Sequence, residues 1–362
     1  MENNVLAQKL DSKYLGAWNS HTHAHQLICS TYQTSPSSSD LYIGQADGLV
    51  QHFDALDPTF SQKYNIEDGS VREMDLWFSQ SLLVVAGDKE LHYLDLKTLE
   101  KLSYSPQSKH PIELCPENKH ISCFGQLITF SCDDTNIVGY NGCRTSNRCL
   151  DLEPAFKITL KVKPIQWKLW NKEVIVLESK GEISIYRHEH NMIELLFKCE
   201  PNIMLMYKNP SYMFRDVVFC STSAAVGLIV RTSYWLMGWH LHQSEGRLHR
   251  ALEQDKINPE DEVWCVALRR NMIACGTEEG CIVLFSNSES EDVIDPDPML
   301  PFKKGHSVVQ LEFDCNRTPA FKKKVSSRPI LAIDVSFVDD KILLFYRTDI
   351  QNMSCLILHN NR

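Results

Sequence analysis

The chain has 362 residues, 43% hydrophobic and 23% charged, which is enough length and apolar content for one large domain or two of medium size. A formal charge of −9 and a pI near 5.9 disfavour nucleic-acid backbones and anionic membrane surfaces as partners. No basic segment with an apolar stretch opens the sequence and no run approaches the ~18 apolar residues of a membrane span, while 13 cysteines without a C-x-x-C pair fit a reducing compartment, so the chain reads as cytoplasmic or nuclear.

The first stretch, VLAQKLDSKYLGAW from Val5 to Trp18, precedes any repeating pattern. SHTHAHQLICS, Ser20 to Ser30, then places His21, His23 and His25 on alternate positions, which on a strand would share one face and could suit a metal. Alternation alone supplies neither the remaining ligands nor groups to orient them, so a structural role is the better reading and no metal or cofactor is expected. TYQTSPSSSD, Thr31 to Asp40, reads as a Ser-rich loop.

From Leu41 onward one pattern recurs seven times: a β-rich run, a tight polar turn and a second β-rich run. The hairpins fall near residues 41–55, 82–96, 127–141, 174–188, 227–241, 272–286 and 342–358. Their starts are roughly 40 to 55 residues apart, with a last interval of about 70. Turns such as Ala46-Asp47-Gly48, Lys180-Gly181 and Glu278-Glu279-Gly280 supply the backbone freedom that a tight reversal needs. A third strand precedes several hairpins, at Ile165–Trp170, Glu262–Leu268 and Ile330–Phe337. Only Glu245–Asp255 reads as helical, which excludes the alternating strands and helices of a barrel hydrolase using an H-x-H metal site. Trp77, Trp167, Trp170, Trp235 and Trp264 read as core packing. Three strands and a weaker outer fourth at this period are the pattern of a propeller blade.

The hairpins resemble degenerate WD40 repeats. Trp239 in MGWHL stands at that family's tryptophan, and Phe53-Asp54, Leu94-Asp95 and Tyr140-Asn141 occupy its WD dipeptide position. The resemblance covers nearly the whole chain and implies an all-β fold: a single domain over residues 1–362, a seven-bladed propeller. The last hairpin leaves no room for an outer strand, so Val5–Trp18 is expected to close the seventh blade. Ser20-His21-Thr22 aligns with the family's GHT tripeptide, which implies a structural pair between His21 and Asp47. Ile43 and Phe53 depart from the family's Ser and Trp, so the fuller tetrad is absent.

Between the sixth and seventh hairpins lies a charged insertion, residues 286–328. Acidic residues and prolines disfavour regular structure there. Ser286 and Ser288 each have Glu at the third following position, Glu289 and Glu291, and with Asp292, Asp295 and Asp297 they make an expected partner-binding or phosphorylated segment. No G-x-S-x-G, Walker loop or H-E-x-x-H is present, so no catalytic residues are expected and the chain reads as not an enzyme. The expected function is a non-catalytic scaffold or adaptor subunit that binds proteins of a larger complex. The alternative is a substrate receptor of a ubiquitin ligase; no F-box precedes the first hairpin, and YNGCR places Arg144 one position late for the W-D-x-R motif of cullin-4 receptors.

Overall fold

The computed structural model describes residues 17–19, 29–34, 38–57, 61–67, 69–104, 120–131, 133–146, 148–170, 172–178, 183–189, 192–199, 216–221, 225–231, 236–242, 248–250, 263–269, 272–286, 321–349 and 353–359. Among them the secondary structure is β apart from one 3₁₀ turn, Phe78–Gln80. The chain divides into two compact units, one formed by Leu27–Gln33 with Leu41–Tyr207 and the other by Met1–Gln26, Thr34–Asp40 and Lys208–Arg362.

The first described strand, β1 (Ala17–Asn19), belongs to the last sheet. Sheet 1 is a meander of β2 (Cys29–Thr34), β3 (Asp40–Gln45), β4 (Leu49–Asp54) and β5 (Ser61–Asn65). Sheet 2 has three strands, β6 (Glu73–Trp77), β7 (Leu82–Ala86) and β8 (Leu91–Asp95). The chain then brushes β8 through a single bridge, Leu94 to Lys101, and leaves to form β9 (Ser103–Tyr104). Sheet 3 contains β10 (Ile121–Phe124), β11 (Leu127–Ser131), β12 (Asn136–Ser146) and β13 (Cys149–Thr159), with β9 added parallel to the outer edge of β13. Sheet 4 is β14 (Pro164–Trp170), β15 (Glu173–Glu178), β16 (Ile183–Glu189) and β17 (Met192–Cys199).

In the other unit, sheet 5 is β18 (Asp216–Ser221), β19 (Ala225–Arg231), β20 (Leu236–His242) and β21 (Leu248–Arg250). The expected helix at Glu245–Asp255 is not found over the residues of it that are described, Leu248–Arg250. Residues 248–250 pair antiparallel with β20, Leu241 opposite Leu248 and Trp239 opposite Arg250, so a sheet ladder takes the backbone groups that a short isolated helix would hold only marginally. Sheet 6 is β22 (Val263–Arg269), β23 (Met272–Thr277), β24 (Cys281–Ser286) and β25 (Phe321–Lys324). Sheet 7 is β26 (Ala332–Val338), β27 (Lys341–Arg347) and β28 (Met353–His359), and its outer position is taken by β1, with Ala17 opposite Leu356 and Asn19 opposite Ser354.

Strand periodicity explains how the sheets stack. Leu82, Val84 and Ala86 of β7 pack toward Ile128, Phe130, Leu150 and Leu152 of sheet 3, while Leu83 and Val85 pack the other way, toward Tyr42 and Val50 of sheet 1. LLVVA is therefore buried throughout because both faces of its sheet are covered. The far face of sheet 3, with Leu127, Ile137 and Ile158, meets Trp167, Leu169, Val174 and Val176 of sheet 4. In the second unit Ala267, Ala274, Ile282 and Leu284 of sheet 6 meet Val335, Ile342, Leu344 and Leu356 of sheet 7. Each fully buried aliphatic side chain contributes about 1.5–3 kcal/mol. Trp77 and Trp167 are buried as expected; Trp264 is half-buried, the side chain of Trp170 is not described and Trp235 lies outside the described residues.

Two glycine turns repeat one backbone lock. At Gly48, φ +89°, the Gly48 N–H donates to the Gln45 carbonyl (3.1 Å), Ile66 N–H to the Gly48 carbonyl (2.9 Å) and Val71 N–H to the Gln45 carbonyl (3.0 Å). At Gly280, φ +76°, the same three bonds join Gly280 to Thr277 (3.2 Å), Val325 to Gly280 (2.9 Å) and Ile330 to Thr277 (3.0 Å). A side chain at either glycine would meet the carbonyl of the following link, Gly69 or Ser326, so both the positive φ and the close approach require glycine.

Candidate interaction surface

Polar groups at the sheet ends of the first unit are bound to one another. Asp88, in the turn after β7, accepts from the Ser70 N–H (3.0 Å) and from Arg72 Nε (2.6 Å), which holds the link from sheet 1 to sheet 2. Asp133, in the turn after β11, accepts the N–H groups of Thr135 and Asn136, both at 2.8 Å, and these bonds lower its carboxyl pKa below the usual value. Asp54 and Asp95, both at the WD dipeptide position, close the chain just after their strands: Asp54 accepts from Leu56 N–H (2.8 Å), and Asp95 from Lys97 and Thr98 N–H (2.9 Å each).

The first strands of sheets 2, 3 and 4 carry a second set of links. Asp75 on β6 accepts the Cys123 N–H of β10 at 2.7 Å, and Ser122 on β10 accepts the Leu169 N–H of β14 at 2.9 Å. Trp167 Nε1 donates to Thr129 Oγ1 (3.1 Å). His120, immediately before β10, has Nδ1 2.6 Å from Glu73 Oε1 and Nε2 2.6 Å from the Trp167 carbonyl oxygen. Burial pushes the His120 pKa down, but the charge and hydrogen bond of Glu73 and the carbonyl outweigh it, so the net direction is upward. In sheet 4 the buried Glu178 accepts from Ser184 Oγ (2.7 Å) and pairs with Lys198 Nζ (3.3 Å).

Arg144 is the arginine nearest the W-D-x-R pattern. Its Nη2 donates to Asp95 Oδ2 (2.7 Å), its own N–H donates to Gln80 Oε1 (2.8 Å), and its side chain is 18% exposed. It joins sheets 2 and 3.

Asp47 is exposed in the β3–β4 turn, where its Oδ1 accepts the Leu49 N–H at 3.2 Å; its expected partner His21 lies outside the described residues, as do His23 and His25. Ser286 ends β24 opposite Met272. Ser288, Glu289, Glu291, Asp292, Asp295 and Asp297 lie outside the described residues. The structure adds one surface that the sequence reading passed over. Met192 (73% exposed) and Leu195 (48%) stand on β17, the outer strand of sheet 4. The signal was available in MIELLFKC, an apolar run directly after the fourth hairpin. Among the described residues no group of three or more His, Cys, Asp or Glu is placed to hold a metal ion, and no helix is long and apolar enough to cross a membrane.

No protein-family model matches the sequence, and no curated protein does. Solved structures do share its fold. Saccharomyces cerevisiae Sqt1 superposes with a TM-score of 0.58 at 11% identity, covering 96% of this chain and 99% of that one. The β-propeller domain of Myceliophteria thermophila Cps50 (Swd1) gives 0.58 at 9% identity, covering 95% and 99%. The computationally designed Ika8 protein gives 0.54 at 10%, covering 93% and 98%. The fold is that of a β-propeller. Sheets 2, 3 and 4, which open with β6, β10 and β14, are three of its blades, here numbered blades 2, 3 and 4.

Proposed function

We propose that this propeller is a non-catalytic protein–protein interaction scaffold, an adaptor subunit of a multiprotein complex in the cytoplasm or nucleus. The observation that carries the reading is the way the polar side chains are used. Asp88, Asp95, Asp133, His120, Arg144 and Glu178 all bond within the fold, where they fix turns and join blades. The exposed Met192 and Leu195 add apolar surface of the kind that partner proteins bury. In this reading the propeller has seven blades, the last completed by the N-terminal strand; the seven sheets among the described residues and the pairing of β1 with β28 support it. His21 and Asp47 form a structural pair, and the acidic segment containing Ser286, Ser288, Glu289, Glu291, Asp292, Asp295 and Asp297 contacts a basic surface on a partner.

The test is affinity purification of the tagged full-length protein from its own cells, followed by mass spectrometry. A stoichiometric set of co-purifying subunits is expected. Replacing Ser286 to Pro298 with a Gly-Ser linker of equal length should leave Tm within a few degrees and weaken at least one partner, with a smaller salt dependence of that association. Recovery of a lone protein with hydrolytic activity overturns the scaffold reading; an unchanged partner set after the replacement removes the acidic segment from it.

A further inference from the structure

Glu73 opens β6, His120 stands one residue before β10 and Trp167 lies within β14, so one imidazole touches three consecutive blades of the same unit. The Trp167 indole meets the imidazole edge-on, with ring centroids 4.6 Å apart at 90°. Proton bookkeeping follows from the acceptors. A main-chain carbonyl cannot donate, so Nε2 must hold a proton to bond the Trp167 oxygen at 2.6 Å. An ionised carboxylate cannot donate either, so a second proton must lie between Nδ1 and Glu73 Oε1, also at 2.6 Å. Whichever of the two atoms carries it, the pair holds one proton more than a neutral imidazole beside a carboxylate.

We propose that His120 is a proton-held clamp across blades 2, 3 and 4, closed while both ring nitrogens are hydrogen-bonded through protons and released when one proton leaves. The other groups around it do not replace that proton. Asp75 on β6 and Lys168 on β14 face each other at 3.7 Å, Asp75 also takes the Cys123 N–H, and the Cys123 thiol on β10 is buried with its pKa pushed up, so it stays neutral. Lys168 opposes a charged imidazole, and Glu73 favours it more strongly. Loss of either proton sets a bare ring nitrogen against an acceptor, Nδ1 against the Glu73 carboxylate or Nε2 against the Trp167 carbonyl oxygen, and β6, β10 and β14 must separate there or admit water. With side chains 16% and 28% exposed, His120 and Glu73 are close enough to solvent for exchange. The sign is fixed: the folded pKa lies above the unfolded one, so the stabilisation is complete below the ordinary histidine range and is lost as pH rises through the folded value.

The test uses the full-length protein and its His120→Gln and Glu73→Gln variants. Imidazole C–H resonances are followed by NMR across pH, with His120 assigned from the spectrum of His120→Gln. His120 should titrate above the ordinary histidine value in the wild type and about one unit or more lower in Glu73→Gln. Backbone hydrogen exchange in β6, β10 and β14 should quicken over the wild-type titration interval, and that pH-dependent step should vanish in both variants. A wild-type His120 that titrates at or below the ordinary value overturns the clamp, as does exchange in the three strands that rises identically in all proteins. If one variant fails to fold, the other and the wild-type titration still decide.

Discussion

A single ion pair shows how much a residue's neighbours matter. Arg144 holds the Asp95 carboxyl below the usual aspartate range against the opposing effect of burial, so the stabilisation from Asp95 is present above the unfolded carboxyl pKa, near 4, and is lost as pH falls through the folded value. Arg144→Met should therefore lower the urea midpoint at pH 7 more than at pH 3, and equal losses at both pH values would show that Arg144 acts through its main chain and packing alone. Gly142 has a different constraint: a Cβ there would collide with the ring of Trp77, which is buried and cannot move aside. Gly142→Ala should cost about 1–3 kcal/mol in chemical denaturation; a neutral change would mean that the Trp77 pocket can relax. The places of Asp54 and Asp95 were legible as a repeated dipeptide position, but the turns they close with the next two or three residues come from the structure. Arg144 with Asp95, 49 positions apart, was not legible, since nothing local in a sequence marks such a partner. The same holds for His120, whose Glu73 and Trp167 contacts come from two other blades.

At the scale of elements, blade 2 has no outer strand of its own among the described residues. The segment after β8 touches it at Lys101 and Leu102 and then joins β13 as β9, so among those residues blade 3 has five strands and blade 2 three. The long β12–β13 hairpin returns the favour, placing Leu150 and Leu152 into the cluster formed by Leu82, Val84 and Tyr93 of blade 2. Leu152→Ala should open a cavity and cost about 2–4 kcal/mol, with proteolysis increasing around residues 103–104 as β9 loses its support; a loss below 1 kcal/mol would mean that the hairpin is ornamental to blade 2. Hairpins joined by Gly-containing turns are readable because their pairing is local and their alternation is strict. A parallel two-residue strand has neither property, and neither does the outer strand β21, whose three residues at a sheet edge carry too little pattern to outweigh a charged, helix-favouring sequence.

For the whole molecule, all-β character was legible from the repeat itself, which no single weak hairpin could have established. Removing residues 1–19 takes away β1 and exposes the edge of β28, and the truncated protein should melt several degrees lower and self-associate. Calorimetry and light scattering against the full-length chain check this; identical melting and a monodisperse monomer would mean that β1 contributes nothing to sheet 7. The pairing also bears on synthesis. Ala17 is synthesised before its partner Leu356, and more than 300 positions separate them, so β1 waits a long stretch of synthesis for the strand it pairs with. The other four-stranded sheets pair their strands in chain order, whereas sheet 7 leaves the apolar β28 edge unpaired by its neighbours in sequence until a loop of more than 300 residues closes. The pairing of β1 with β28 is thus a late, long-range step of folding, sensitive to crowding by other unfinished chains.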